Sequence, residues 1–200
     1  MDSLEIRRID SSQLNIYTAI PIAHEVQTIL RVEPISCGLG GLRLIEHNLP
    51  NPYTKDYDRI DGRDTGPNTW LAQYNLDRWG IFLAFVNGTS AGGAAVATCT
   101  PEVNMLENRQ DLAVLWDIRV QPARRHLGIG AALFRHAVDW AGKTGCTKMK
   151  IETQNINLPA CRFYAKMGCE LGMIHRYGYA GVPEVSEEAM LFWYYDLREN

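Results

Sequence analysis

The chain has 200 residues, 46% of them hydrophobic, which is enough to close one well-buried core and short of the usual length for two, so a single domain over 1–200 is expected. Its 20 basic and 23 acidic side chains leave a formal charge of -3, so no global positive field gathers nucleic acid or anionic lipid, and neither is expected as a partner. Cys37, Cys99, Cys146, Cys161 and Cys169 contain no CxxC pair, which fits neither a disulfide framework nor a zinc ribbon; reduced thiols and no metal site are expected.

Met1 is followed by Asp2, Ser3, Leu4 and Glu5 rather than by a basic start and an apolar run, and no later segment reaches about 18 unbroken apolar residues. A cytoplasmic chain without a membrane partner is the expectation. Residues 1–78 mix short apolar runs with a polar, turn-rich stretch, 50–68, that holds Pro52, Gly62, Gly66 and Pro67 and reads as a long surface loop of the functional kind.

From Trp79 the pattern sharpens. Ile81–Val86 and Ala94–Thr98 flank Asn87-Gly88, a pair suited to the positive backbone angles of a tight turn, which predicts a β-hairpin. Leu112–Gln121 is a third strand, with Val114, Trp116, Ile118 and Val120 on one face and Asp117 with Arg119 on the other. After Gly128 a helix runs to about Thr144, since Ile129, Leu133, Ala137 and Trp140 recur at helical spacing. Met149–Gln154 is a short strand, Leu158–Met167 a second helix ended by Gly168, and Ala189–Asp196 a closing aromatic strand. The order is mixed α/β with an antiparallel start.

Arg124-Arg125-His126-Leu127-Gly128-Ile129-Gly130-Ala131 lies where a strand ends and an amphipathic helix begins, so unpaired backbone N–H groups converge on one point that favours an anion. Gly128 and Gly130 carry no Cβ to hold a ligand away, and Arg125 adds a permanent cation. Strand, Arg-x-x-Gly-x-Gly and helix in this order resemble the acetyl-CoA signature of the GNAT superfamily of N-acetyltransferases. Downstream, Asn157-x-x-Ala160-x-x-x-Tyr164-x-x-x-Gly168 resembles the second signature of that family, with Cys169 where the family commonly has Phe.

The resemblance implies the GNAT fold: a mixed, mostly antiparallel central sheet flanked by helices, with a splayed strand pair forming the acetyl-CoA cleft. The core signature then covers about 79–197, and 1–78 is the N-terminal part of the same domain, with 50–68 on the acceptor side. It also implies that the pyrophosphate of acetyl-CoA sits on the loop. Ile118, Val120, Arg125, His126, Leu127, Gly128, Ile129, Gly130 and Ala131 form the expected cofactor set with Asn157, which would bond the pantetheine arm, and Tyr164, whose hydroxyl would face the thioester sulfur. Read without the resemblance, Asn157 is a helix N-cap and Tyr164 a half-buried amphipathic residue.

A lysine-like amine of pKa about 10.4 must lose a proton at a cost of roughly 4.6 kcal/mol near pH 7 before it can attack, and a carboxylate within reach is the usual acceptor. Glu152 stands twelve residues ahead of Tyr164, the spacing of base and acid in relatives that acetylate ribosomal protein N-termini, and is the first candidate. Its bland alternative is pairing with Lys150 or Lys166. Asp117 is the second candidate, although Arg119 beside it suits a structural pair equally well. No cysteine is placed as an acyl carrier, so attack on bound acetyl-CoA is expected to be direct.

Within the superfamily, Glu152-Thr153-Gln154, Asn157-x-Pro159-Ala160-Cys161-x-x-Tyr164-Ala165-Lys166, Pro52-Tyr53-x-Lys55-Asp56-Tyr57 and Glu188-Ala189-Met190-x-Phe192-Trp193-Tyr194 resemble the streptothricin acetyltransferase branch. That resemblance implies a polycationic acceptor with a β-lysine amine, hence antibiotic resistance. Tyr53, Asp56 and Tyr57, with Asp58, would hold the acceptor's charge. Transfer to a polyamine, aminoglycoside or protein N-terminus, or acetyl-CoA sensing without turnover, stays open, and so does the choice between monomer and homodimer.

Overall fold

The computed structural model describes residues 3–60 and 62–199. Its strands and helices are β1 (Leu4–Ile9), α1 (Leu14–Thr18), β2 (His24–Pro34), β3 (Leu42–Lys55), β4 (Arg59–Ile60), β5 (Arg63–Asp64), α2 (Trp70–Gln73), β6 (Gly80–Val86) and β7 (Thr89–Thr98). There follow β8 (Leu112–Val120), α3 (Ile129–Lys143), β9 (Lys148–Gln154), α4 (Leu158–Lys166), β10 (Glu170–His175) and β11 (Met190–Asp196). The chain divides into two compact units: one takes residues up to Ile22, Tyr57–Ile151 and Tyr195 onward, the other Ala23–Asp56 and Glu152–Tyr194.

In the first unit β1, β6, β7 and β8 pair antiparallel in that order, and β8 pairs with β9 in parallel, as its crossover through α3 requires. This is the mixed, mostly antiparallel α/β sheet that the sequence implies. The β6–β7 turn is made by Asn87 and Gly88 at φ of 51° and 79°, both left-handed, as the dipeptide predicts. Strand β7 starts directly after that turn and so includes Gly92 and Gly93, which face opposite sides of the sheet. A Cβ on Gly93 would stand 2.5 Å from the ring of Tyr17 in α1, and one on Gly92 would meet Leu133 of α3 at 3.0 Å, so both helices approach the sheet over bare backbone. Tyr17, Trp70, Trp79, Leu83, Ala95 and Val114 share one buried core, in which the Trp79 indole N–H donates to Thr100 Oγ1 at 3.0 Å.

One expectation for β8 is overturned. Ala95 faces Asp117 and Val96 faces Leu115, so Trp116 is an extra residue, a β-bulge. Beyond the bulge the alternation flips, and Asp117 with Arg119 comes to the same side as Val114 and Tyr17 rather than the opposite one. The described pairing with β9 runs from Leu112↔Lys148 to Leu115↔Ile151 and stops where the bulge begins, while β8 continues to Val120.

In the second unit β2 and β3 form a long antiparallel hairpin, and this corrects the expected loop over 50–68: its first part, to Lys55, is strand, and a short β4–β5 pair lies beyond. Prolines 50 and 52 hid the strand. They fall where the register jumps from Val26↔Tyr53 to Thr28↔Asn48, a bulge in which a missing N–H costs no ladder bond. Buried Asn155 ties this hairpin to the start of β11: its N–H2 donates to the Leu30 carbonyl at 2.9 Å and its Oδ1 accepts from the Ala189 N–H at 2.7 Å. Helix α4 is capped by Asn157, whose side chain accepts from Ala160 N–H, and ends at Gly168 with φ of 90°, where Cys169 N–H bonds back to the Tyr164 carbonyl at 3.0 Å. Strand β10, paired antiparallel with β11, has no counterpart among the expected elements.

Candidate functional site

The loop from β8 to α3 alternates backbone hands. Arg125 is extended, His126 has φ of 65° and Gly128 φ of 83°, which bends successive N–H groups toward one concavity. The first intrahelical bond of α3 is Ala132 N–H to Gly128 O at 3.0 Å, and no side chain caps the helix, so the first-turn amides of Ile129, Gly130 and Ala131 have no partner in the helix. Nothing lies within 4 Å of the position a Gly128 Cβ would take. Arg125 is pinned at the end of β8 by its Nε–H bond to the Val120 carbonyl at 3.2 Å, Ile118 and Val120 are half-buried, and Leu127 is 69% exposed. The donors, the open space and the cation fit a pyrophosphate.

Asp117 is committed elsewhere. Its carboxylate, 7% exposed, accepts from Tyr17 Oη at 2.7 Å and from Arg119 at 2.9 and 2.6 Å, and Arg119 reaches on to Asp58 at 2.7 and 2.9 Å and to the Ile20 carbonyl at 3.0 Å. Burial alone would depress the Arg119 guanidinium; the Asp117 charge and the bonds to Asp117 and Asp58 outweigh it and hold the group firmly protonated. Burial, then the Asp117 charge, drives the Tyr17 phenol well above its ordinary value. Asp58, considered for the acceptor's charge, is thus half of a structural ion pair. Tyr57 is half-buried, and its carbonyl accepts from Thr65.

In the second unit Glu152 and Gln154 project from the same face of β9, two residues apart. The Tyr179 hydroxyl donates to Glu152 Oε1 in a short bond and accepts from Gln154 Nε2 at 2.7 Å. Burial, followed by the Glu152 charge, pushes the Tyr179 phenol far up, so it stays a proton donor at every working pH. Lys150, one of the two lysines weighed as alternative partners of Glu152, pairs with Glu107 at 2.7 Å. Beside Tyr179, buried Glu188 pairs with Lys55 at 2.6 Å, and burial and the Glu188 charge raise the phenol of Tyr53, which is 44% exposed; Asp56 is half-buried.

Tyr164 lies on the buried side of α4 at 6% exposure, its ring 6.5 Å from that of Trp193. The Asn157 cap engages Oδ1. Cys161 and Cys169 are pushed up to about 12 by burial, which keeps both as thiols near neutral pH. Among the described residues no group of His, Cys, Asp and Glu could hold a metal ion, and no helix is long and apolar enough to cross a membrane.

Sequence reasoning missed Tyr179 and Tyr17. Tyr179 sits in an aperiodic turn, Arg176-Tyr177-Gly178-Tyr179, where only the glycine hints at a close approach. Tyr17 meets Asp117 across 100 positions of sequence.

Comparison with known proteins gives a family and a fold. The acetyltransferase (GNAT) family model matches residues 44–169. The chain is 35% identical over 97 residues to streptothricin acetyltransferase A of Bacillus subtilis (strain 168), covering 48% of this chain and 56% of that relative. It is 29% identical over 145 residues to a streptothricin acetyltransferase of Escherichia coli, covering 72% and 71%. A Bacillus anthracis str. Ames protein crystallised with acetyl coenzyme A superposes with a TM-score of 0.75 at 24% identity over 97% of this chain and 99% of that one. Nourseothricin acetyltransferase does so with 0.75 at 22% identity over 97% and 98%. At such identities the structural likeness is one of fold.

Proposed function

The chain belongs to the acetyltransferase (GNAT) family, and from that premise we propose that it transfers the acetyl group of acetyl-CoA directly to a cationic primary amine. The observation that carries this reading is the uncapped N-terminus of α3, opened by left-handed His126 and Gly128 and backed by Arg125. These amides would take the pyrophosphate, with Ile118 and Val120 along the acyl arm. Asn157 would donate to the pantetheine through its side-chain N–H2, since the helix cap engages only Oδ1.

In the reaction the amine nitrogen bonds to the acetyl carbon and the C–S bond breaks. Glu152 takes the proton that the amine loses. Tyr164 hydrogen-bonds the departing thiolate, and its phenol, with an ordinary pKa of about 10 against about 8.5 for a thiol, acts more by that bond than by full proton transfer. Asp117 is the poorer base, because both of its oxygens already accept from Tyr17 and Arg119. No cysteine is needed as a carrier, and the buried Cys161 and Cys169 thiols are poor nucleophiles.

For the acceptor we propose a streptothricin-type polycation, supported by the names of the relatives and by the carboxylate and phenol groups of Tyr53, Asp56 and Glu152 in the second unit. Calorimetry of acetyl-CoA binding tests the cofactor half. The wild type should bind, and Gly128→Asp, which puts a bulky anion beside the loop, should weaken binding by at least about tenfold with the helical signal retained. Equal affinities in a folded Gly128→Asp protein would contradict it.

A further inference from the structure

The connection between β10 and β11 is folded by local turns. Ala180 N–H bonds to the Tyr177 carbonyl at 3.2 Å, Val182 N–H to Tyr179 at 2.9 Å and Glu188 N–H to Val185 at 2.9 Å. Gly178 admits the Met190 side chain against its bare Cα: a Cβ there would stand 2.3 Å from the Met190 sulfur. This packing delivers Tyr179 to β9, where its hydroxyl lies between two side chains of one strand face. Gln154 can only donate to it through Nε2, so the phenol proton is directed at Glu152. The bond order Gln154 to Tyr179 to Glu152 is thereby fixed.

We propose that Tyr179 is a positioning residue for Glu152: its hydroxyl, oriented by Gln154, fixes the carboxylate and sets the pH above which that carboxylate accepts the amine proton. The proposal rests on Glu152 being the base. A donor to the ionised carboxylate stabilises the charged form and keeps Glu152 deprotonated, and therefore able to accept a proton, at lower pH than burial alone would allow. The charged groups around this bond have partners of their own. Glu188 faces Tyr179 but is paired with Lys55 at 2.6 Å, Tyr53 of β3 lies in the field of Glu188, and Lys150 on β9 is engaged by Glu107.

The test is Tyr179→Phe, which keeps the ring and deletes the hydroxyl, with Gln154→Leu as the milder variant that leaves Tyr179 in place. Two quantities are measured: the acid limb of kcat/KM against pH, and the titration of the Glu152 carboxyl by carbon-13 NMR of glutamate-labelled protein, assigned with Glu152→Gln. In Tyr179→Phe both should move up by about one pH unit, which is about a tenfold loss of kcat/KM on the acid limb and little loss on the alkaline plateau. Gln154→Leu should move both in the same direction by less. A merely structural role lowers the rate by one factor at every pH and leaves the carboxyl titration unshifted, and that result in either variant overturns the proposal. If Glu152→Gln itself retains wild-type turnover, the base assignment fails first and Tyr179 loses its role with it; if Glu152→Gln is impaired and Tyr179→Phe is unshifted, only Tyr179 is misassigned.

Discussion

Two candidate carboxylates, Glu152 of β9 and Asp117 of β8, accept different donors. Glu152 is half-buried and receives a phenol; Asp117 is almost fully buried and receives a phenol and a guanidinium. Glu152→Gln should therefore lower turnover most near pH 7, where roughly 4.6 kcal/mol of amine deprotonation must be supplied, and the deficit should shrink as pH approaches the amine's own pKa of about 10. Steady-state rates across that range check it, and a pH-independent deficit would count against a base. Asp117→Asn should instead cost stability, because Arg119 would keep a buried charge with half its counter-charge. Tyr164→Phe should reduce kcat while the affinity for CoA changes little, as deletion of one hydroxyl from an otherwise packed ring implies; unchanged kcat with chemistry rate-limiting would assign the leaving-group bond elsewhere.

The helices and strands are held to the sheet by a few contacts that cannot be moved piecemeal. Tyr17 of α1 closes over Gly93 and bonds Asp117, and the bulge at Trp116 turns Asp117 toward it. Tyr17→Phe should lose about 2 kcal/mol at pH 7, the worth of a buried hydrogen bond to a charged group, seen as a fall of about 5 °C in Tm. The pH dependence has a definite sign. The folded pKa of Tyr17 is raised, so its contribution is whole below the unfolded value of about 10 and is lost as pH rises beyond it, and the gap between wild type and variant should narrow in alkali. Gly93→Ala should cost about 1–3 kcal/mol with no change in charge, since its Cβ would strike the Tyr17 ring; denaturant melts of the two variants separate the steric from the polar term. In the second unit Asn155 plays the comparable part, and Asn155→Ala would strand the Leu30 carbonyl and the Ala189 N–H.

Across the chain, what the sequence revealed followed the range of the interactions involved. The Asn87-Gly88 turn, helix α3, the Asn157 cap and the Gly168 stop are local, dictated by residues within one or two turns of each other, and each stands where the sequence puts it. The β8–α3 loop is local too. The β2–β3 hairpin was hidden because Pro50 and Pro52 read as loop until the bulge that absorbs them is seen, and β10 because it carries few apolar residues in alternation. The partners of Asp117 and Glu152 were hidden because Tyr17 and Tyr179 reach them only through tertiary folding. Acetyl transfer itself is tested by mixing the protein with acetyl-CoA and single amines, streptothricin, free lysine, a polyamine, an aminoglycoside and a ribosomal N-terminal peptide, and following release of the CoA thiol. Rapid thiol release with the streptothricin, acetylated product in equal amount, and slower turnover of the others is the predicted result; acetyl-CoA that binds and is never consumed with any amine would contradict an acetyltransferase.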